Sequence, residues 1–310
     1  MRFRIAHRTR YAYAAPVTFG EHRLMLRPRD SHEIRLLDAR LTTDPAAELR
    51  WVYDTFGNSV AYARFAAPAD HLDIESMLTV EHFGLSGPAL PVEDRAARLP
   101  FSYTPEERAD LGRLLDRHTS DAGRIAAWAY EIVARTNQAD TMAVLDGMMA
   151  RVRRELRYQA RDAEGVQSPV ETLNAGSGSC RDFAYLMMEA ARSVGIAARF
   201  VSGYLYDPAL DRGPGQTIGG GSTHAWLQVF LPGAGWISFD PTNGHVEGQS
   251  RIPVAIAREP WQTSPISGSF SGQLPAAPTL TVNVSVTTLP EAPQAAPQPD
   301  PRKAARGATA

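Results

Sequence analysis

The sequence predicts an α+β protein: a β-rich, sandwich-like domain, then a core in which a helix packs on an antiparallel sheet. Three observations predict it. Residues 1–85 carry many short alternating runs, the pattern of strands with one buried face. From about residue 105 the apolar spacing lengthens to that of helices. Over 224–240 alternation returns as two runs joined by a Pro-Gly connection, a hairpin signature.

The first six strand-like runs fall near 2–13, 23–28, 34–44, 49–53, 60–66 and 72–82, separated by Pro, Gly, Asp and Asn. Residues 84–91, GLSGPALP, read as a linker, so domain 1–85 is set against a core over 86–288. Helices are expected at about 105–118, 121–135 and 140–156. Thr104 before Pro105 gives the first of these an N-cap and a proline at the first helical position. A further helix opens at Cys180, and strands follow near 197–207, 224–231 and 235–240. Past Pro241 the pattern is irregular until a last strand over 279–288, counted with the core. Over 289–310 Pro and Ala dominate, with too few large apolar side chains to offset ordering entropy, and this reads as a disordered tail.

Cys180 is the only cysteine in 310 residues. It stands in Gly176-Ser177-Gly178-Ser179-Cys180-Arg181-Asp182-Phe183, and apolar residues at 180, 183, 184, 187, 191 and 194 outline one buried helical face. Ser179 suits an N-cap, Asp182 completes a capping-box pattern, and Gly195 supplies a stop. Cys180 therefore falls on the first helical position, where unpaired N–H groups and the helix dipole favour negative charge. A thiol there is expected to have a lowered pKa, and the thiolate is the nucleophilic form. A lone cysteine also makes a good small core residue. The residues downstream decide between the two.

A cysteine nucleophile needs a base, and a histidine base needs a third group to fix its tautomer. Cys180, His224 and Asp240 supply these parts in that order. Strand parity constrains the idea. An odd connection between the two hairpin strands puts Trp226 opposite Asp240, with His224 one diagonal step away on the same face. A four-residue connection would put Leu227 there and turn Asp240 to the wrong face.

The stretches GSGSCRDFAYLMMEAARSVGIAARFVSGYLYDP and STHAWLQVFLPGAGWISFDPTNG resemble the core of the bacterial transglutaminase-like superfamily, which is related to papain-like cysteine proteases. Tyr11-Ala12-Tyr13 with Pro16-Val17, then Arg23-Leu24-Met25-Leu26-Arg27-Pro28-Arg29 and Tyr53-Asp54-Thr55-Phe56-Gly57-Asn58-Ser59, resemble the β-rich domain that precedes this core in many bacterial members. The resemblance spans roughly residues 1–290. It implies a papain-like, transglutaminase-like core and a triad of Cys180, His224 and Asp240. It also implies acyl transfer at a peptide or glutamine-type amide: a peptidase or amidase if water is the acceptor, a transglutaminase if an amine is. Hydrolysis is the first expectation, because amine transfer also needs water excluded. A reading of another class is a binding or scaffold module with a vestigial site, its β-domain contacting a partner. The intact Cys–His–Asp set argues against that.

Composition fits an ordinary globular enzyme, 44% hydrophobic and 21% charged. A net charge of −2 gives no reason to expect nucleic acid or a membrane surface as partner; a protein or peptide substrate is what the resemblance implies. One cysteine excludes an intramolecular disulfide framework. The first residues, MRFRIAHR, lack the apolar core of a secretory signal, and no run reaches membrane-spanning length, so a cytoplasmic location is expected. His7, His22, His32, His71, His82 and His118 form no paired-ligand motif, and neither a metal nor a cofactor is expected.

The remaining candidates divide as follows. Residues 208–222, rich in glycine and ending before His224, read as a surface loop or as a flap beside the base; they lack the features of a phosphate loop. Asp182 is expected to cap its helix. Arg181 is either solvated or a support for the thiolate. Trp226 and Trp236 fall on the face of His224 and Asp240, as packing or as a shield. Asn243 is an alternative orienter, and His245 follows the Asp240 strand. An acyl intermediate needs oxyanion donors; the Cys180 N–H is one, with Asn174 and Tyr158 as candidates for the second.

Overall fold

Six strands open the fold: β1 (Arg2–Phe19), β2 (His22–Arg27), β3 (Ile34–Asp44), β4 (Ala47–Tyr53), β5 (Ser59–Phe65) and β6 (Ala69–His82). There follow α1 (Pro105–Leu111), α2 (Arg124–Arg135), α3 (Thr141–Glu155), β7 (Arg157–Tyr158), α4 (Pro169–Ala175), β8 (Ser177–Gly178) and α5 (Cys180–Ser193). The chain then forms β9 (Ala198–Leu205), β10 (Thr223–Leu231), β11 (Gly235–Asp240), β12 (His245–Val246), β13 (Arg251–Ala257), β14 (Ile266–Ser267), β15 (Phe270–Ser271) and β16 (Thr279–Leu289). This computed structural model describes residues 1–83, 91–117, 121, 123–160, 165–208, 222–246, 251–272 and 276–290. Most of the linker, His118, loop residues 209–221 and the tail from 291 lie outside the described residues.

The β-rich part is a sandwich. One sheet pairs β16, β1, β6 and β3, with β15 on the far end of β1; the other runs β14-β2-β5-β4. Tyr13, Val17 and Phe19 of β1 and Leu72 and Ile74 of β6 meet Leu24 and Leu26 of β2 and Ala61 and Ala63 of β5 between them. β1 runs past the expected 2–13 because a register shift between Ala12 and Val17 carries the strand through Pro16.

The core is one antiparallel sheet, β12-β11-β10-β9-β13, with α5 laid across one face. Ala225, Leu227, Val229 and Leu231 of β10 alternate onto that face and meet Phe183, Ala184, Met187 and Ala191 of the helix. Trp128 and Ile132 of α2 and Val144 and Met148 of α3 close the other side of α5. All but its ends are buried, which explains why this helix carries apolar residues almost all round. The exception is a wholly buried ionic group: Arg192 Nη1 donates to Glu189 at 2.9 Å and to Glu259 at 3.2 Å, and Arg192 Nη2 donates to the Arg258 carbonyl at 2.7 Å.

Several elements differ from the sequence expectation. The first helix stops at Leu111, because Gly112 takes a positive φ of 46° and the chain tightens into a 3₁₀ turn. α4 was not expected, although Ser168-Pro169-Val170-Glu171 is a complete start signal: Ser168 N–H donates to Glu171 at 2.8 Å and Glu171 N–H to Ser168 Oγ at 3.3 Å. β13 was hidden by Pro253, which is tolerated on this edge strand beside a register shift. The last strand forms where expected but in the other sheet: β16 pairs with β1 from Arg2↔Leu289 to Ala12↔Thr279. Its grouping with the 86–288 core is therefore corrected. Alternation identifies a strand and carries no information on its partner.

The two parts share a core. Phe3, Ile5, Leu78, Val80 and Val286 pack on Tyr204, Tyr206, Ile252 and Val254. His7 Nδ1 lies 3.0 Å from the Tyr204 hydroxyl, and Asn58 clamps the Ile256 backbone from both sides, at 2.7 and 2.9 Å.

Candidate functional site

The hairpin connection consists of Pro232, Gly233 and Ala234, since Leu231 pairs with Gly235. It is odd. Leu227 faces Phe239, so the next position outward sets Trp226 opposite Asp240, and His224 stands one step beyond. Across that diagonal His224 Nε2 lies 2.8 Å from Asp240 Oδ2, with both side chains fully buried.

Asp240 ends β11, where the chain turns back over its carboxylate. Oδ1 accepts the N–H groups of Thr242 at 3.0 Å and Asn243 at 3.2 Å, and Oδ2 also accepts Asn243 Nδ2 at 3.0 Å. Burial works against ionisation here, but His224, Asn243 and the charge of Arg251 prevail and hold the pKa down at about 2. Asn243 thus secures the carboxylate, and the histidine's partner is Asp240. Arg251 has no motif to mark it in the sequence; it opens β13, is buried, and sets its guanidinium 6.0 Å from the Trp226 ring.

Cys180 is the first residue of α5, on Ser179 as N-cap. Asp182 fixes that start: Oδ2 accepts both the N–H of Ser179 at 2.8 Å and its hydroxyl at 2.9 Å, while Oδ1 accepts Gln167 N–H at 2.7 Å. The carboxylate is fully buried and committed to structure. Packing of α5 on β10 brings the thiol to the head of that strand, beside the His224 ring and the Ala225 N–H. Burial alone would raise the thiol pKa. His224 and then the Ala225 N–H outweigh it, with a smaller push from Arg181, so the thiol is held below its ordinary value. The imidazole moves the other way: burial is overcome by Asp240 and then Cys180, and its pKa is raised. Nε2 is taken by Asp240, which leaves Nδ1, buried and without a fully formed hydrogen bond, as the ring atom to face the sulfur. Loose contacts of this kind are common where no substrate is bound.

Trp226 stacks on the His224 ring at 6.2 Å and 26° and is almost wholly buried, so it screens the pair from water. Trp236 sits at the far end of the hairpin, against Phe230 and under Arg199, and does not flank Asp240. His245 pairs with Asp240 only through the backbone and is exposed. Asn174 is exposed and spends its carbonyl on Arg124 at 2.9 Å. Tyr158 is near the thiol: its ring packs 6.3 Å from Phe183, and the charge on Cys180 helps to raise its pKa, after burial. Among the described residues no group of three His, Cys, Asp or Glu is placed to hold a metal.

A cysteine heading a buried helix, laid on an antiparallel sheet that presents a His–Asp pair, defines the class of transglutaminase-like α+β folds. The profile of the bacterial transglutaminase-like N-terminal region matches residues 3–81, and that of the transglutaminase-like superfamily matches 126–241. An uncharacterized protein of Mycobacterium tuberculosis is 34% identical over 282 residues, 86% of this chain and 87% of its own. A protein-glutamine gamma-glutamyltransferase of Pseudomonas aeruginosa is 30% identical over 148 residues, 48% of this chain and 20% of its own. The crystal structure of a candidate cysteine protease from Cytophaga hutchinsonii superposes with a TM-score of 0.70, covering 94% of this chain and 93% of its own at 16% identity, a likeness of fold. This chain belongs to the bacterial transglutaminase-like superfamily.

Proposed function

We propose that this protein is a thiol-dependent acyl-transfer enzyme acting on peptide or glutamine-type amides through Cys180, His224 and Asp240. The observation that carries the reading is the buried 2.8 Å His224–Asp240 contact with the other ring nitrogen left for the thiol of Cys180. In this reaction the Cys180 thiolate adds to the amide carbonyl. The His224 imidazolium gives its proton to the departing amine as the C–N bond breaks, leaving a thioester on sulfur. Asp240 accepts the ring's Nε2–H, which orients Nδ1 toward the sulfur, and stabilises the charge of the imidazolium. A water molecule then loses a proton to Nδ1, adds to the thioester carbonyl, and releases the carboxylic acid and the thiol. The oxyanion of each addition is met by the Cys180 N–H, a first-turn donor with no helical acceptor, and by the hydroxyl of Tyr158.

Transfer to an amine is the second reading. It is favoured by the 30% identity of half of this chain to the Pseudomonas aeruginosa protein-glutamine gamma-glutamyltransferase, and by the near-total burial of Trp226 against His224. Both readings share the thioester, and one experiment separates them. Incubation with a peptide library and a labelled primary amine is read for cleavage, deamidation and amine incorporation, with Cys180→Ala as control. Cleavage or deamidation alone identifies a hydrolase, and incorporation a transferase. A protein that does none of these, and whose thiol reacts no faster than a free one, is a binding module with a vestigial site.

A further inference from the structure

The sheet edges of this protein are not alike. An edge strand exposes a row of unpaired N–H and C=O groups, and proteins blunt such edges with charge, proline, bulges or short length. β3 carries Arg35, Asp38, Arg40 and Asp44, with a register shift between Leu36 and Asp38. β4 carries Glu48 and Arg50, β13 carries Pro253 beside its own register shift, and β12 and β14 are each two residues long. β16 has none of these devices. Its eleven residues, Thr279–Leu289, contain no charge, proline or glycine, and they pair with β1 in unbroken register. Among the described residues β1 is its one strand partner, so the far edge is open. The faces of β16 differ as well. Val284 and Val286 join the core cluster of Tyr204 and Ile252, whereas Leu280 and Val282, on the same face, are 51% and 48% exposed. The opposite face shows Thr281, Asn283, Ser285 and Thr287, all exposed.

We propose that β16 pairs with β16 of a second copy of this chain, antiparallel about a two-fold axis, so that two sheets become one across a dimer. A two-fold axis sets each side chain near its own equivalent, and a charge on such a strand would meet its like. A partner of another kind makes no such demand, and β16 satisfies it over its whole length. Residues directly opposite share a face, so apolar meets apolar only when the axis passes beside a residue rather than between two. Full overlap of the strand places the axis at Val284. Val282 then lies opposite Val286, Thr281 opposite Thr287 and Asn283 opposite Ser285 across the axis, and the exposed Leu280 and Val282 gain cover. The arginines of β1 do not oppose this. Arg8 and Arg10 turn away to Asp73 of β6, at 3.0 and 2.6 Å. The β1 strands of the two copies would also stand three strand spacings apart, about 14 Å, beyond the screening length of about 8 Å. The dimer rests on neither reading of Cys180, and its failure would leave both untouched.

The test follows the full chain by sedimentation velocity from micromolar to sub-millimolar concentration. A concentration-dependent shift to twice the mass of the chain is expected. Ser285→Lys and Ser285→Glu charge the edge at an exposed position that faces Ala6 within its own sheet, so the fold should be undisturbed. Each variant should weaken the dimer about tenfold, by repulsion from its equivalent across the axis. Mixing the two variants should restore it, since opposite charges then meet. Hydrogen exchange of the parent gives a reading that needs no substitution: the β16 amides should exchange more slowly at high concentration than at low. The proposal is overturned by a parent that stays monomeric throughout, by a dimer that Ser285→Lys leaves intact, or by a mixture of the variants that associates no better than either alone. β16 amides equally protected at every concentration would show that another segment of this chain covers the edge, and would overturn it too.

Discussion

His224 and Asp240 are sixteen residues apart in the chain and 2.8 Å apart in space. That contact depends on an odd turn. One glycine inserted between Gly233 and Ala234 makes the connection even and turns either His224 or Asp240 to the opposite face. We expect the inserted variant to keep its helical circular dichroism and lose its fast reaction with a small alkylating reagent, falling to the rate of an ordinary buried thiol. Unchanged alkylation would show that the strand pair does not set the thiol's reactivity.

The thiol itself should report its environment through pH. With the pKa of Cys180 held below its ordinary value, the alkylation rate should stay high below about pH 8.5 and decline only as pH falls through the depressed value. His224→Ala removes the cation and leaves burial, which acts in the other direction. In that variant the profile should move to higher pH, with at least a tenfold loss at pH 7. Two superimposable profiles would dismiss His224 as the thiol's partner.

Tyr158 gives a sharper division, because alkylation needs no oxyanion hole. Tyr158→Phe should reduce turnover of an amide substrate by about 10²–10³, the usual loss for one oxyanion donor. Its alkylation rate should stay close to that of the parent. If both fall together, Tyr158 acts on the thiol or on packing against Phe183, and the second donor is elsewhere.

The sequence was most legible where local chemistry alone decides the structure. The Ser179 start of α5, the alternation of β10 and β11 and the odd connection between them place three distant residues together, because side-chain period and turn parity are local properties. Pairing is not local. Nothing in Thr279–Leu289 says that it will lie along β1, and Pro253 disguised a strand that an edge position tolerates. Arg251 and Tyr158 escaped a firm assignment for the same reason. Each reaches the candidate site from an element whose place is set by the tertiary fold.

Arg192 joins α5 to the segment after β13 through two buried carboxylates, Glu189 and Glu259. Arg192→Met fills the space but strips Glu189 of its guanidinium and leaves Glu259 with only Arg258, at 3.4 Å, in a dry interior. Loss of one partner from such a group costs about 3–5 kcal/mol, against at most a small change when the whole group becomes apolar. Urea denaturation should therefore show Arg192→Met far less stable than the parent. Recovery of much of the loss by adding Glu189→Leu and Glu259→Leu would confirm the electrostatic origin. A single variant within 1 kcal/mol of the parent would mean that water or neighbouring donors already satisfy the acids.

His7 sits in the seam between the two parts, between the Tyr204 hydroxyl at 3.0 Å and Thr9 Oγ1 at 3.1 Å. Burial pushes its pKa down from 6.5 to about 4, so it is neutral in the folded protein. In the unfolded chain it takes up a proton near pH 6.5. Between those values the unfolded state binds more protons at this residue, so the His7 contribution to stability falls as pH falls from about 6.5 towards 4. His22 and His82 are lowered too, again chiefly by burial, and add to the same slope. His7→Gln keeps polar atoms for its two partners and cannot titrate. At pH 7.5 it should melt somewhat below the parent, because its shape fits the cavity less well. Its melting temperature should then fall less between pH 7.5 and 4.5 than that of the parent, since one of the three histidines with a lowered pKa is gone. Equal falls in the two proteins would place the acid sensitivity elsewhere and leave His7 as a packing residue of the seam.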